Sequence, residues 1–211
     1  MRVNLWQRWL LIVGEAVLIP LALAAGWWWR IDPRRHVVFT LPALCWGAVA
    51  ILPMLLGFWL LARGSVPGSR RIAALVDELL VPFFAGWRLG EMALVAAAAG
   101  IGEELFFRGL LQAGISDCYG WPAGLILASV VFGLVHFLTA EYALYAALVG
   151  AYLGALYVFT DNLLVPIIAH ALYDFVALVI VSGWGRRRLP EPQVAEHATD
   201  CASQFQSRSS S

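Results

Sequence analysis

Apolar residues run along this chain in long unbroken stretches, without the alternation that marks a strand. A helix needs roughly 20 mainly apolar residues to cross a bilayer core. Six stretches qualify, at about 9–29, 38–62, 88–111, 121–138, 142–160 and 163–184. A β-barrel would instead show many alternating segments of about 10 residues. Tryptophans cluster at the predicted span ends (Trp27 to Trp29, Trp59, Trp87, Trp121, Trp184), where interfacial aromatics anchor a helix. Between the second and third stretches, Ile72, Leu75, Val76, Leu79, Leu80 and Phe83 recur at helical spacing opposite Asp77 and Glu78, which predicts an interfacial amphipathic helix over 70–87. From Gly185 the chain turns polar and serine-rich, so 185–211 reads as a disordered tail. The predicted architecture is an all-α polytopic integral membrane bundle: about six transmembrane helices plus the interfacial helix, in a single domain over 1–184.

Composition supports that pattern. Of 211 residues, 61% are hydrophobic and only 13% charged, against about 25% charged in soluble domains. With a mean hydropathy of +0.77, a water-soluble globule is excluded. The fourteen basic residues are all arginine and balance fourteen acidic ones, so there is no basic patch and no nucleic-acid partner is expected. Cys45, Cys118 and Cys201 are widely spaced and form neither a disulfide framework nor a thiolate zinc site. The first apolar run resembles a signal peptide, with Arg2 and Arg8 ahead of it and small residues at 22–26. Its length and its Glu15 argue for a retained span. Placing the N-terminus in the cytoplasm puts Arg2, Arg8, Arg63, Arg70, Arg71, Arg88 and Arg186 to Arg188 inside, and only Arg30, Arg34 and Arg35 outside. The bias predicts both termini in the cytoplasm. A bacterial plasma membrane is the expected location, with lipid and a peptide or protein substrate as the expected partners.

Ionisable groups inside a span cost about 2.5–3.5 kcal/mol each on insertion scales. Glu91, Glu103, Glu104, Arg108, His136, His170 and Asp174 nevertheless lie in the last four spans. Glu15 and Glu91 read as polar glue between helices; the others must meet and satisfy one another. Glu104 and Arg108 stand at i,i+4 with the acid first, the favourable order for an ion pair. Glu103 is rotated about 100° away and lacks that partner. His170 and Asp174 are also i,i+4. Glu103 lies 17 positions before Gly120 and His136 lies 16 after it, so an antiparallel hairpin turning there brings the two level. One count opposes convergence: a rise of 1.5 Å per residue leaves His136 and His170 on the order of 14 Å apart in depth. A tilted helix, a shifted boundary or a bend around Gly109 to Cys118 would close the gap.

No HExxH, GxSG or GxGD string is present. What remains is a glutamate, two histidines and an aspartate, a set that can hold and deprotonate water with or without a metal. Glu103, His136 and His170 are the candidate ligands if zinc is bound; the expectation is metal-free chemistry.

Glu103-Glu104-Leu105-Phe106-Phe107-Arg108-Gly109 resembles the EExxxR motif of the CPBP family, the CAAX-processing and bacteriocin-processing (Abi) intramembrane proteases. Phe132 to His136 resembles its FxxxH motif, and His170 to Asp174 its HxxxN/D motif. The resemblance covers about 70–183. It implies a helical membrane endopeptidase with water as nucleophile. Glu103 and His136 would activate that water, His170 and Asp174 would lie near the scissile carbonyl, and Glu104 and Arg108 would be structural. Family members with Asn at the last position can donate an amide hydrogen bond to an oxyanion; an ionised Asp174 cannot, and would instead orient His170. Two other functions compete on the same residues: a non-catalytic membrane scaffold or immunity protein, and a proton or ion pathway.

Overall fold

The computed structural model describes residues 4–188, the side chains of 184–188 excepted. Helix α1 (Leu5–Trp29) ends in a left-handed turn at Arg30. Helices α2 (Leu41–Val49) and α3 (Ile51–Ala62) form one apolar rod broken at Ala50. Pro53 has no N–H to offer the carbonyl of Val49, four residues back, and next to it the buried Ala50 carbonyl accepts the Tyr152 hydroxyl at 2.9 Å. After a connector come α6 (Leu89–Glu104), a π-helical segment (Leu105–Gln112) and α7 (Ala113–Tyr119), continuous with one another. Gly120, at φ +83°, turns the chain into α8 (Trp121–Val135). Helices α9 (Ala140–Thr160) and α10 (Leu164–Arg188) complete the bundle.

All six expected stretches are helical, but among the described residues only four helices are both long and apolar enough to span: Leu5–Trp29, Leu41–Ala62, Ala140–Thr160 and Leu164–Gly183. The third expected span carries too many ionisable residues. The fourth, α8, has 15 residues, about 22 Å at 1.5 Å per residue, short of the roughly 30 Å core. The interfacial helix is not one continuous α-helix. It is α4 (Ser69–Leu75), a π turn (Val76–Leu80) and α5 (Val81–Phe84). The wider turn rotates the register, so Phe84 and Trp87 are buried against Ile12, Met92 and Val95 while Leu79 stays exposed. Helix α10 continues to Arg188, past the expected end at 184; the rest of the expected tail, 189–211, lies outside the described residues.

Ion pairs tie the connectors at both ends. At the arginine-rich end Arg8 reaches Glu91 at 2.8 Å and Arg71 reaches Glu141 at 2.5 Å. Glu91 therefore serves as glue, as its sequence context implied. At the other end Arg35 pairs with Asp117 at 2.9 Å, and His36 Nδ1 lies 3.0 Å from Asp161 Oδ1. There Asn162 exchanges hydrogen bonds with both backbone groups of Val38. Each end pairs only groups that the predicted topology puts on one side of the membrane.

Candidate active site

The ionisable side chains of the last four helices meet where α6 passes into its π segment. Glu104 and Arg108 are fully buried, with Arg108 Nη1 2.9 Å from Glu104 Oε1. Arg108 Nη2 donates to the carbonyl of Gly150 on α9 at 2.8 Å. A turn later, Gln112 Nε2 donates to the carbonyl of Gly154 at 3.1 Å. Small residues on α9 allow both approaches: a Cβ at Gly154 would lie 2.6 Å from Gln112 Oε1, a clash, and one at Gly150 would sit tightly, 3.3 Å from Arg108 Nη2. Sequence reasoning missed Gln112 and these glycines, although their GxxxG spacing is the signature of close helix approach.

Glu104 does more than pair with Arg108. Its Oε1 also takes a hydrogen bond from His170 Nδ1 at 2.8 Å. The far nitrogen, His170 Nε2, stands 3.5 Å from Asp174 Oδ2 and 4.0 Å from Glu103 Oε2. Glu104 thus holds the His170 ring from behind, a role the sequence assigned to Asp174.

His136 follows the last residue of α8. Its Nδ1 lies 2.8 Å from the carbonyl oxygen of Phe132. A carbonyl only accepts, so Nδ1 carries the proton and a neutral ring keeps its lone pair on Nε2. The ring stacks on Phe132 at 4.4 Å, and Phe132 in turn lies 4.6 Å beneath the Arg108 guanidinium. This places His136 Nε2 3.8 Å from Glu103 Oε2. Part of the depth gap closes here: the His136 ring folds back one turn toward the bundle centre, where Glu103 reaches both imidazoles.

Glu103 Oε2 is buried without a hydrogen-bond partner among the described residues. Separations of 3.8 and 4.0 Å from two nitrogens are too long for direct bonds and suit a bridging water. The site is closed behind Glu104 and Arg108 and opens where His136 and Asp174 keep 28% and 31% of their side-chain surface. Glu15 of α1 also faces this cluster, within electrostatic reach of Asp174, His170 and Glu103. The close passage of α1 over Gly102 sets its position; a Cβ there would meet the Glu15 carbonyl oxygen at 2.7 Å. It is therefore more than glue between α1 and its neighbour, and nothing in its local sequence marks that. Among the described residues no three His, Cys, Asp or Glu side chains are grouped as ligands of one ion.

Residues 84–176 match the family model described as Rce1-like, the type II CAAX prenyl endopeptidase Rce1-like proteins. The match spans all three motifs and agrees with the CPBP resemblance: this segment is similar to Rce1-like proteases, and the long apolar helices around it are those of an integral membrane protein. No curated protein and no solved structure matches the chain.

Proposed function

We propose that this Rce1-like membrane protein is an intramembrane endopeptidase that hydrolyses a peptide bond with a water held between Glu103, His136 and His170. The observation that carries the reading is the unpartnered, buried Oε2 of Glu103 facing two imidazole nitrogens at 3.8 and 4.0 Å. A buried polar atom left unsatisfied costs roughly 1–3 kcal/mol. A water there repays that cost and stands next to a base.

Glu103 takes a proton from this water as its oxygen attacks the scissile carbonyl carbon. His136 Nε2 accepts a hydrogen bond from the same water and orients it. As the tetrahedral intermediate collapses, Glu103 returns the proton to the departing amine nitrogen. His170 and Asp174 flank the carbonyl side. Glu104 and Arg108 form the internal pair that fixes the His170 ring and is spent on structure. Zinc is not required in this scheme. The proposed setting is a bacterial plasma membrane with both termini in the cytoplasm, where the site opens toward the arginine-rich end. The test is cleavage of an internally quenched peptide ending in a farnesylated CAAX sequence, farnesyl standing for the prenyl group that the family description names, by wild-type protein and by Glu103→Gln in nanodiscs.

A further inference from the structure

Hydrolysis by attacking water leaves negative charge on the former carbonyl oxygen, and fixed donors aimed at that oxygen are the largest single source of catalysis in such sites. Most donors here are already engaged. Arg108 gives Nη1 to Glu104 and Nη2 to the Gly150 carbonyl. His136 Nδ1 serves Phe132, and His170 Nδ1 serves Glu104. Ionised Glu103, Glu104 and Asp174 can only accept. His170 Nε2 faces the substrate side, but it stands between two carboxylates, 3.5 and 4.0 Å away.

The first turn of α9 supplies another donor. Thr139 Oγ1 caps that turn at Tyr142 N, 3.2 Å away, and so fixes where Tyr142 starts from. One turn on, the Tyr145 hydroxyl lies 2.9 Å from that of Tyr173 on α10. The face of α9 bearing Tyr142 and Tyr145 therefore lies against the stretch of α10 that carries Asp174. Since α9 and α10 run antiparallel, Tyr142 falls on the Asp174 side of that contact, at the open end of the site. Its side chain is part-buried and within electrostatic reach of Asp174 and Glu103, and among the described residues no hydrogen bond occupies its hydroxyl.

We infer that the Tyr142 hydroxyl is a catalytic group that donates a hydrogen bond to the oxyanion formed when water attacks the scissile carbonyl. The inference rests on the endopeptidase reading above. The step balances: the carbonyl π pair becomes the oxyanion lone pair, the water proton passes to Glu103, and Tyr142 keeps its own proton throughout. It also accounts for an aspartate at position 174, where an asparagine would have carried a donor of its own.

The experiment measures kcat and KM on the quenched farnesylated CAAX peptide in nanodiscs for wild type, Glu103→Gln, Tyr142→Phe, Asp174→Asn and the Tyr142→Phe/Asp174→Asn pair, with thermal midpoints to confirm folding. Tyr142→Phe should fold normally and lose about 10–10³-fold in kcat, as removal of an oxyanion donor does, with KM within about threefold. In the Asp174→Asn background the same Tyr142→Phe step should cost less than about fivefold, because the amide supplies a donor. Tyr142→Phe within about twofold of wild type overturns the inference. So does an equal loss in both backgrounds, which marks a structural role. In either case an inactive Glu103→Gln leaves the endopeptidase reading standing. A wild type no more active than Glu103→Gln overturns that reading, and this inference with it.

Discussion

Replacing Arg108 by methionine tests what holds the site in place. Methionine keeps most of the aliphatic stem and removes the guanidinium. Arg108 is 1% exposed and Glu104 fully buried, and their contact is 2.9 Å. Breaking a buried pair by removing one partner costs about 3–5 kcal/mol, because the remaining charge stays in a medium that cannot solvate it. The Gly150 carbonyl loses its donor as well, which adds roughly 1–3 kcal/mol when nothing replaces it. Helix unfolding inside a membrane lets freed groups find other partners, so the lower end, about 3–4 kcal/mol, is the expected loss. Against a total stability of about 5–15 kcal/mol this is a large fraction, and folded protein in the membrane should fall. The assay is equilibrium unfolding of purified protein in bicelles by steric trapping. Adding Glu104→Gln to Arg108→Met removes the orphaned charge while keeping an oxygen for His170 Nδ1. That double variant should be more stable than Arg108→Met alone, a coupling that a double-mutant cycle reads directly. A single variant within about 1 kcal/mol of wild type would refute the buried-pair reasoning. An Arg108→Met protein of native stability but no activity would move the arginine into the chemistry.

Three further outcomes follow from the same structure. Gly154→Ala puts a methyl 2.6 Å from Gln112 Oε1 and 2.7 Å from Leu125; displacing that pair should cost about 1–3 kcal/mol, read as a lower thermal midpoint, and an unchanged midpoint would mean that α9 does not pack so closely. Elemental analysis of active protein should find no stoichiometric zinc. Zinc lost together with activity on chelation, and restored with it, would contradict the metal-free scheme. Reporter fusions after Ala62 and after Ser182 should both report cytoplasm, and an external signal at either would reverse the proposed orientation.

Three motifs on three helices were legible in the sequence because each is local. The Glu104–Arg108 pair follows from i,i+4 spacing, and the level placement of Glu103 and His136 from counting out to Gly120 on both sides of one hairpin. Contacts between helices were less legible. His170 has a carboxylate four residues away in Asp174, and sequence spacing favours that partner; the shorter bond, to Glu104, joins helices separated by 66 positions. The depth gap between the histidines came from treating each residue as a point on its helix axis. The His136 ring closes part of it by folding back on Phe132, a side-chain conformation that periodicity does not encode. The π segments at 76–80 and 105–112 have no compositional mark. The first of them rotated the register of the interfacial helix and moved burial from Leu79 to Phe84 and Trp87. Glu15 joined the cluster only through the way α1 packs over Gly102. The Gly150 and Gly154 pair, by contrast, could have been found by its four-residue spacing.

The central claim is that Glu103 is the base and that His136 serves the same water. The most direct measurement is the cleavage rate of Glu103→Gln, His136→Ala and the two combined, on the quenched farnesylated CAAX peptide in nanodiscs. Glutamine preserves the size of the side chain and its hydrogen bonding but cannot take the proton. Glu103→Gln should fold normally and lose at least the 10²–10⁴-fold typical of removing a general base. The combined variant should lose little more than either alone, since the two act as one unit. Near-normal cleavage by Glu103→Gln, with Glu104→Gln inactive yet folded, would contradict the account and transfer the base to the other glutamate.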